Sequence, residues 1–375
     1  MKVDKTKRQI YPLEDICNIK TGRKDANHAD ENGAYPFFTC GANPLRSTTY
    51  SFDGLNLIVP GNGDIGRCFL YNGKIEAYQR TYVIQLKKNA DIDIHYLYSV
   101  FKGTWRTYIK NKILGAAMPY IKLGHLNDFH IPVYDLSIQQ AIAVELNAIQ
   151  TMIDGYKAQI ADLDALAQSI FLDMFGNVSM NDKSWNIIPM GKLGDFKNGL
   201  NYNKGEQGKS IKIIGVGDFQ NIKSLSSFND ISSIEVEHIS EEYLLHNEDI
   251  VFVRSNGNKN LVGRCLEVYP NDAEVTFSGF CIRFRKSVEI SNKYLIALLT
   301  DSGFKKTHLL KSNGIGIQNI NQKLLSSLPL PVPSADLQQL FALKVETIEQ
   351  QKEQLRLQLQ DAETLMAERM QYYFS

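Results

Sequence analysis

Gly61-Asn62-Gly63-Asp64-Ile65-Gly66 is the first place in this chain where backbone and spacing suggest chemistry. In a dinucleotide site the third glycine of GxGxxG opens a helix whose N-terminus holds the pyrophosphate. Here the run continues as Arg67-Cys68-Phe69-Leu70-Tyr71-Asn72-Gly73, which reads as a strand and its turn. The expected element is a Gly/Asn-rich hairpin loop with backbone free to approach phosphate. Its counterpart, Arg254-Ser-Asn-Gly-Asn-Lys-Asn-Leu-Val-Gly263, keeps the place and loses the spacing.

Asn43-Pro44-Leu45-Arg46 comes nearest to the (D/N/S)PP(Y/F) loop that orients an exocyclic amine for methylation, but it lacks the second proline and the aromatic. The seven histidines show neither HxH nor HExxH spacing, so no metal site is expected. No Walker A sequence and no GxSxG occurs. No catalytic residue is expected in this chain.

What remains is basic and polar loop chemistry. In the first part of the chain the candidate DNA-binding residues are Arg23, Lys24, Arg46, Arg67, Arg80, Arg106, Lys110 and Lys112. In the second they are Arg254, Asn256, Asn258, Lys259, Arg264, Lys305, Lys306, Lys311, Gln318 and Asn319. Arginine and lysine address guanine and asparagine and glutamine address adenine in the major groove, while exposed basic residues also serve solubility. Arg67 and Arg264 recur in a Gly-Arg-Cys context and could equally pair inside the protein.

These residues need elements to hold them. A chain of 375 residues is long enough for two domains or more. With 41 basic and 41 acidic side chains the net charge is zero, so bulk charge gives no argument for nucleic acid and only its distribution can help. Five scattered cysteines without a CxxC pair fit neither a disulfide framework nor a cysteine zinc site. The charged start MKVDKTKRQI and the lack of a run of about 18 apolar residues argue against secretion and membrane spanning, so a cytoplasmic protein is expected.

Two segments poor in Gly and Pro, Ser137 to Phe175 and Asp336 to Phe374, each follow a Pro-bearing stretch and are predicted to be long helices. In the first, Ile142, Leu146, Ile149, Ile153, Tyr156, Ile160, Leu163, Ala167, Ile170 and Met174 alternate steps of four and three, a heptad seam. Shifted by 199 residues, the seam returns as Phe341, Val345, Ile348, Lys352, Leu355, Leu359, Ala362, Met366, Arg369 and Tyr373. Such a helix, roughly 58 Å long at 1.5 Å per residue, is a spacer.

The shift belongs to a whole-chain repeat. Gly115, Ile121, Leu126, Ile131, Pro132 and Gln139-Gln140 fall on Gly314, Ile320, Leu325, Leu330, Pro331 and Gln338-Gln339. Pro12 to Gly22 matches Pro189 to Gly199 at an offset of 177, so about 22 residues were added within the second globular part. Short strands at Leu55 to Val59, Cys68 to Tyr71, Thr81 to Leu86 and Ile250 to Val253, with short helices around Ile94 to Lys112 and Lys293 to Leu310, predict α+β lobes. The expected domains are 1–135 and 177–333 for the lobes, with helices over 136–176 and 334–375. Residues 1–135 carry 18 basic and 13 acidic side chains and 136–175 carry 1 and 5. The same split recurs, with 18 and 16 over 176–333 and 4 and 7 over 334–375. Basic lobes on acidic helices suit two grips on a polyanion joined by a strut.

This duplicated order of start motif, Gly-rich hairpin, Ile/Leu-Pro-Val, Gln-Gln and long heptad helix resembles the specificity subunits of type I restriction-modification systems over nearly the whole chain. The resemblance implies two similar mixed α/β target-recognition lobes separated by two long helices in an antiparallel coiled coil, related by a pseudo-two-fold. Each lobe would read half of a split double-stranded DNA site. Two modification subunits, carrying S-adenosylmethionine for adenine N6 methylation, and motor-nuclease restriction subunits would be the partners, with no cofactor on this chain. A rigid strut would then fix the gap between half-sites. The rival readings are a coiled-coil scaffold with two protein-binding lobes, and a specificity subunit of a type II-like system.

Overall fold

Thr81, Tyr82, Val83 and Ile84 are all buried, as a strand with neighbours on both edges and cover on both faces requires. The computed structural model describes residues 2–115, 119–202, 207–219, 222–255, 258, 261–309 and 319–375. In it Thr81–Leu86 pairs antiparallel with Cys17–Thr21 on one edge and Leu55–Pro60 on the other, and Phe69–Asn72 completes a four-stranded sheet. A second sheet, with Tyr35–Phe38 between Leu45–Ser47 and Glu76–Ala77, packs Phe38 and Ala77 onto Ile58 and Val83 of the first.

The second lobe has the same strand order. Gly194–Asn198, Cys281–Lys286, Asp249–Val253 and Cys265–Val268 form its main sheet, and Ser233–Val236, Lys209–Ile214 and Val275–Phe277 its smaller one. Ser224–Leu225 adds a fifth strand, parallel to Cys265–Val268. It lies in the stretch 215–232, which stands where the first lobe has only 39–44 between the corresponding strands. Much of the inserted length is there. Gly22 and Gly199 end the first strand of each main sheet, where a Cβ would meet the Ala77 carbonyl at 1.8 Å and the Ser278 carbonyl at 2.0 Å. Only glycine admits that approach.

The helical stretches after the main sheets are interrupted. Ile94–Val100 passes through a π-helical turn at Phe101–Trp105 into Arg106–Ile109, and Asn292–Thr300 and Ser302–Phe304 lead into a second one at Lys305–Leu309. Leu310 and Gly314 lie outside the described residues.

Each lobe is closed where its chain enters and leaves. Gln9–Pro12 pairs with His130–Val133, and Asn186–Pro189 with Pro329–Val332, as two-stranded ribbons. The buried Tyr96 and Tyr294 hydroxyls donate to the carbonyls of Pro132 and Pro331. The fully buried Gln139 amide donates to the Tyr134 carbonyl at 2.7 Å and accepts from the Asp93 N–H at 2.9 Å. Gln338 repeats this with Pro333 and Ser291 at 2.9 and 3.0 Å. Gln140 and Gln339, beside them, are exposed.

The long helices span Leu136–Phe175 and Ala335–Phe374. The chain forms two units, Met1–Gln159 with Leu355–Ser375, and Ile160–Gln354, so each unit holds a lobe and one part of each helix. In the first unit Ile142, Leu146, Ile149 and Ile153 share a core with Ala362, Met366 and Tyr373, with Tyr156 and Leu359 packed against it. In the second, Phe171 and Phe175 meet Phe341, with Ile170, Met174 and Val345 alongside and Ile348 buried. Ile160, Leu163, Ala167 and Leu355 are half-buried. The pairs Lys157–Glu363 at 2.8 Å in the first unit and Lys352–Asp164 at 2.7 Å in the second run antiparallel within each.

The two charged seam residues are paired. Lys352 is buried between Asp164 and Glu349, and Arg369 bonds Glu145, which also accepts from the Tyr373 hydroxyl at 2.7 Å. A paired charge of this kind fixes register while costing desolvation. Burial pushes the Glu145 carboxyl up, but hydrogen bonds from Arg369 and Tyr373 outweigh it and bring it to about 2.

Two outcomes follow from these contacts. Gln139→Leu leaves buried backbone groups unpaired and is expected to cost about 2 kcal/mol in chemical denaturation, with Gln140→Leu near neutral. Because the Glu145 carboxyl titrates lower in the folded chain, its contribution is complete above its ordinary value of 4.5 and is lost as the pH falls toward 2. The Glu145→Gln protein is expected to show a flatter loss of stability over that window, read from urea midpoints.

Candidate nucleic-acid interface

The hairpin loop between Leu55–Pro60 and Phe69–Asn72 is held from several sides. Gly61 bonds the Arg80 carbonyl at 2.8 Å, Gly63 bonds the Pro119 carbonyl at 3.0 Å, and the buried Trp105 indole donates to the Ile65 carbonyl at 2.7 Å. A Cβ on Gly61 would lie 2.3 Å from the Arg80 oxygen, which accounts for that glycine. Asp64 collects two of the candidate arginines, Arg67 and Arg106, each at 2.9 Å. The loop opens no helix, so its glycines do not form a dinucleotide cradle.

The remaining candidates of the first lobe are spread over its loops. Arg46 donates to the Gly33 and Ala34 carbonyls at 2.9 and 3.1 Å. Lys24 bridges Tyr78, and Arg23 beside it is exposed. Arg80 is exposed in the turn before Thr81–Leu86, and Lys110 is exposed at the helix end. Lys112 lies 4.2 Å over the Tyr108 ring.

In the second lobe Arg254 is half-buried, reaching toward the Gly279 carbonyl at 3.5 Å, and Asn258 is exposed. Arg264 donates to the Phe219 carbonyl at 3.3 Å, so both Gly-Arg-Cys arginines have partners within their own lobes. Lys305 is half-buried in the π-helical turn, where burial pulls its ammonium below the ordinary lysine value, and Lys306 is exposed. Asn319 is exposed and bridges Ser255. Asn256, Lys259, Lys311 and Gln318 lie outside the described residues.

One backbone frame recurs in both lobes. Gly61 and Arg254 donate to the carbonyls of Arg80 and Phe280, both at 2.8 Å, and accept from Ile121 and Ile320 at 2.9 and 2.8 Å. Beside them Asn62 bridges Tyr120 as Ser255 bridges Asn319. In the first lobe this frame borders an open groove of about 510 Å³ lined by Gly61, Gln79, Arg80, Tyr120, Lys122 and Leu123. Tyr120 and Phe280, 40% and 62% exposed, escaped the sequence reading, because nothing in a sequence marks an aromatic as unburied. The alignment of the two halves around Gln79-Arg80-Thr81 and Gly279-Phe280-Cys281 was the available signal.

Burial pushes the thiols of Cys17, Cys68, Cys265 and Cys281 up to about 12, which keeps them protonated. Among the described residues no His, Cys, Asp and Glu gather into a set that would hold a metal ion, and no helix is long and apolar enough to cross a membrane.

The family model described as the type I restriction modification DNA specificity domain matches residues 6–163 and again 182–361. The chain belongs to this family. Both matches start beside a closing ribbon and end inside a long helix, so the family unit is the repeat itself. The chain is similar to the EcoDI specificity subunit of Escherichia coli, 25% identical over 362 residues, covering 90% of this chain and 80% of that one. It is 27% identical over 278 residues to the StySPI specificity subunit of Salmonella potsdam, covering 66% and 59%. Among solved structures it resembles the type I S subunit from M. genitalium, with a TM-score of 0.62 at 17% identity over 100% and 98% of the chains. A chain from a study of type I complex assembly and conformational transition gives 0.57 at 13% identity over 100% and 99%. These likenesses show the fold. Membership makes the chain the non-catalytic DNA-recognition component of a restriction-modification complex, with DNA and the methyltransferase and restriction subunits as its partners.

Asp64 holds down the charge of two arginines in a DNA-recognition lobe. Asp64→Asn is expected to tighten binding to non-specific duplex and to steepen its salt dependence by about one unit of log–log slope, measured in salt-titrated binding of the assembled complex.

Proposed function

We propose that the chain reads a bipartite DNA site, one half per lobe, and so directs adenine N6 methylation and restriction to it. The observation that carries this reading is the repetition of one strand order and one loop frame in two lobes with different exposed side chains. Equal scaffolds with unequal surfaces suit two related tasks on unlike sequences. In this reading the long helices Leu136–Phe175 and Ala335–Phe374 serve as a strut, whose fixed length would hold the number of base pairs between two half-sites constant.

In this reading two modification subunits dock on the chain, one for each repeat, and restriction subunits join that assembly in the cytoplasm. S-adenosylmethionine belongs to the modification subunits, whose chemistry is methyl transfer to adenine. This chain's residues bind and position DNA.

Long-read methylome sequencing of the source strain, with and without this gene, tests the reading. A methylated motif of two short parts with a constant gap is expected to vanish with the gene. A methylome that does not change, or one uninterrupted motif, would contradict it.

A further inference from the structure

The frame at the strand ends carries its charge differently in the two lobes. In the first lobe no side chain fits at Gly61, and the guanidinium comes from Arg80 across the shared hydrogen bond. In the second, Arg254 occupies the place of Gly61 and Phe280 the place of Arg80. The third position is Tyr120 in one lobe and Asn319 in the other. The backbone therefore holds still while the projecting groups change from arginine and tyrosine to arginine, phenylalanine and asparagine.

Elsewhere in the repeat the shared contacts keep shared residues. Gly22 and Gly199, Tyr96 and Tyr294, and Gln139 and Gln338 each keep the residue type and meet backbone carbonyls at corresponding places in the two lobes. Those positions hold the scaffold. The strand-end positions share partners only through backbone; Arg80, Tyr120, Phe280 and Asn319 are exposed there, and the half-buried Arg254 spends one of its five donors on the Gly279 carbonyl. The Arg80 carbonyl is taken by the Gly61 N–H, but its exposed guanidinium has no hydrogen-bond or ion-pair partner among the described residues, and with Lys122 it makes the groove edge basic.

We propose that these strand-end residues, Arg80 and Tyr120 in the first lobe and Arg254, Phe280 and Asn319 in the second, read bases and set which sequence each lobe accepts. The inference rests on the DNA-recognition reading and adds to it the place on each lobe where sequence is read. An arginine presents two parallel donors to guanine O6 and N7, and an asparagine amide presents a donor and an acceptor to adenine N6 and N7. The exposed rings of Tyr120 and Phe280 offer apolar contact to a thymine methyl. The first lobe would then require a guanine, and the second an adenine beside a guanine.

The test uses the full chain co-expressed with its modification and restriction-partner genes in a bacterial host without adenine methylation, read by long-read sequencing. Arg80→Ala is expected to relax one guanine position in one half-site by roughly ten- to a hundred-fold, leaving the other half-site as in the wild type. Phe280→Ala with Asn319→Ala is expected to relax the other half-site only. Arg80→Lys separates base from phosphate, because lysine keeps the charge and loses the planar fork. Relaxed guanine reading in Arg80→Lys supports the proposal, and decides it should Arg80→Ala give no methylation. Full discrimination in Arg80→Lys, equal weakening of both half-sites, or motifs identical to wild type would overturn it. A wild-type complex that methylates no two-part motif would instead overturn the proposed function beneath it.

Discussion

Closing each lobe at the root of its long helix is the constraint on which the other features depend. The chain enters and leaves a lobe through one two-stranded ribbon, and the helix starts a few residues later. Backbone groups buried at such a junction have no water to bond. A buried glutamine amide and a buried tyrosine hydroxyl meet that need in both halves. They also fix the direction in which the helix leaves its own lobe, since the amide bonds both the lobe and the segment before the helix. Pro132 and Pro331, lacking an N–H, sit in the ribbon strands, where two-stranded pairing leaves one edge unbonded.

Much of this was legible before any coordinates, because repetition multiplies weak signals. Gln139-Gln140 alone says little, but its return as Gln338-Gln339 after another Ile/Leu-Pro-Val marked a shared junction. Thr81 to Leu86 was readable as a strand from its apolar, β-branched run, and the heptad seam from its period. Lys352 and Arg369 read as intrusions, because their partners Asp164 and Glu145 are 188 and 224 residues away in the chain. Strand ends moved by a residue, as with Phe69–Asn72, because register is set by the partner strand Leu55–Pro60 and not by local composition. The strand Ser224–Leu225 was invisible, since two residues carry no period.

The candidate interface was legible in kind and less so in place. Charge and amide chemistry pointed to arginine, lysine and asparagine in the loops, yet the structure divides them by what they touch. Arg67, Arg106, Arg46 and Arg264 spend donors on carboxylates or carbonyls of their own lobes. Arg80 and Asn319 project from a backbone frame common to both lobes. Hydrogen bonding within the protein does not forbid contact with phosphate, but it does preorganise the donor, which lowers the entropy lost on binding. The scaffold therefore carries the shared residues, and the surface carries the differences.

The most direct measurement of the central claim, that the lobes are equivalent readers of separate half-sites, is the methylome of a chimera. In it residues 186–332 are replaced by a second copy of 9–133, joined at the matching ribbon strands. The account predicts a two-part motif in which both parts are the half-site read by the first lobe, with the original gap. A motif that keeps its second half-site unchanged would contradict it.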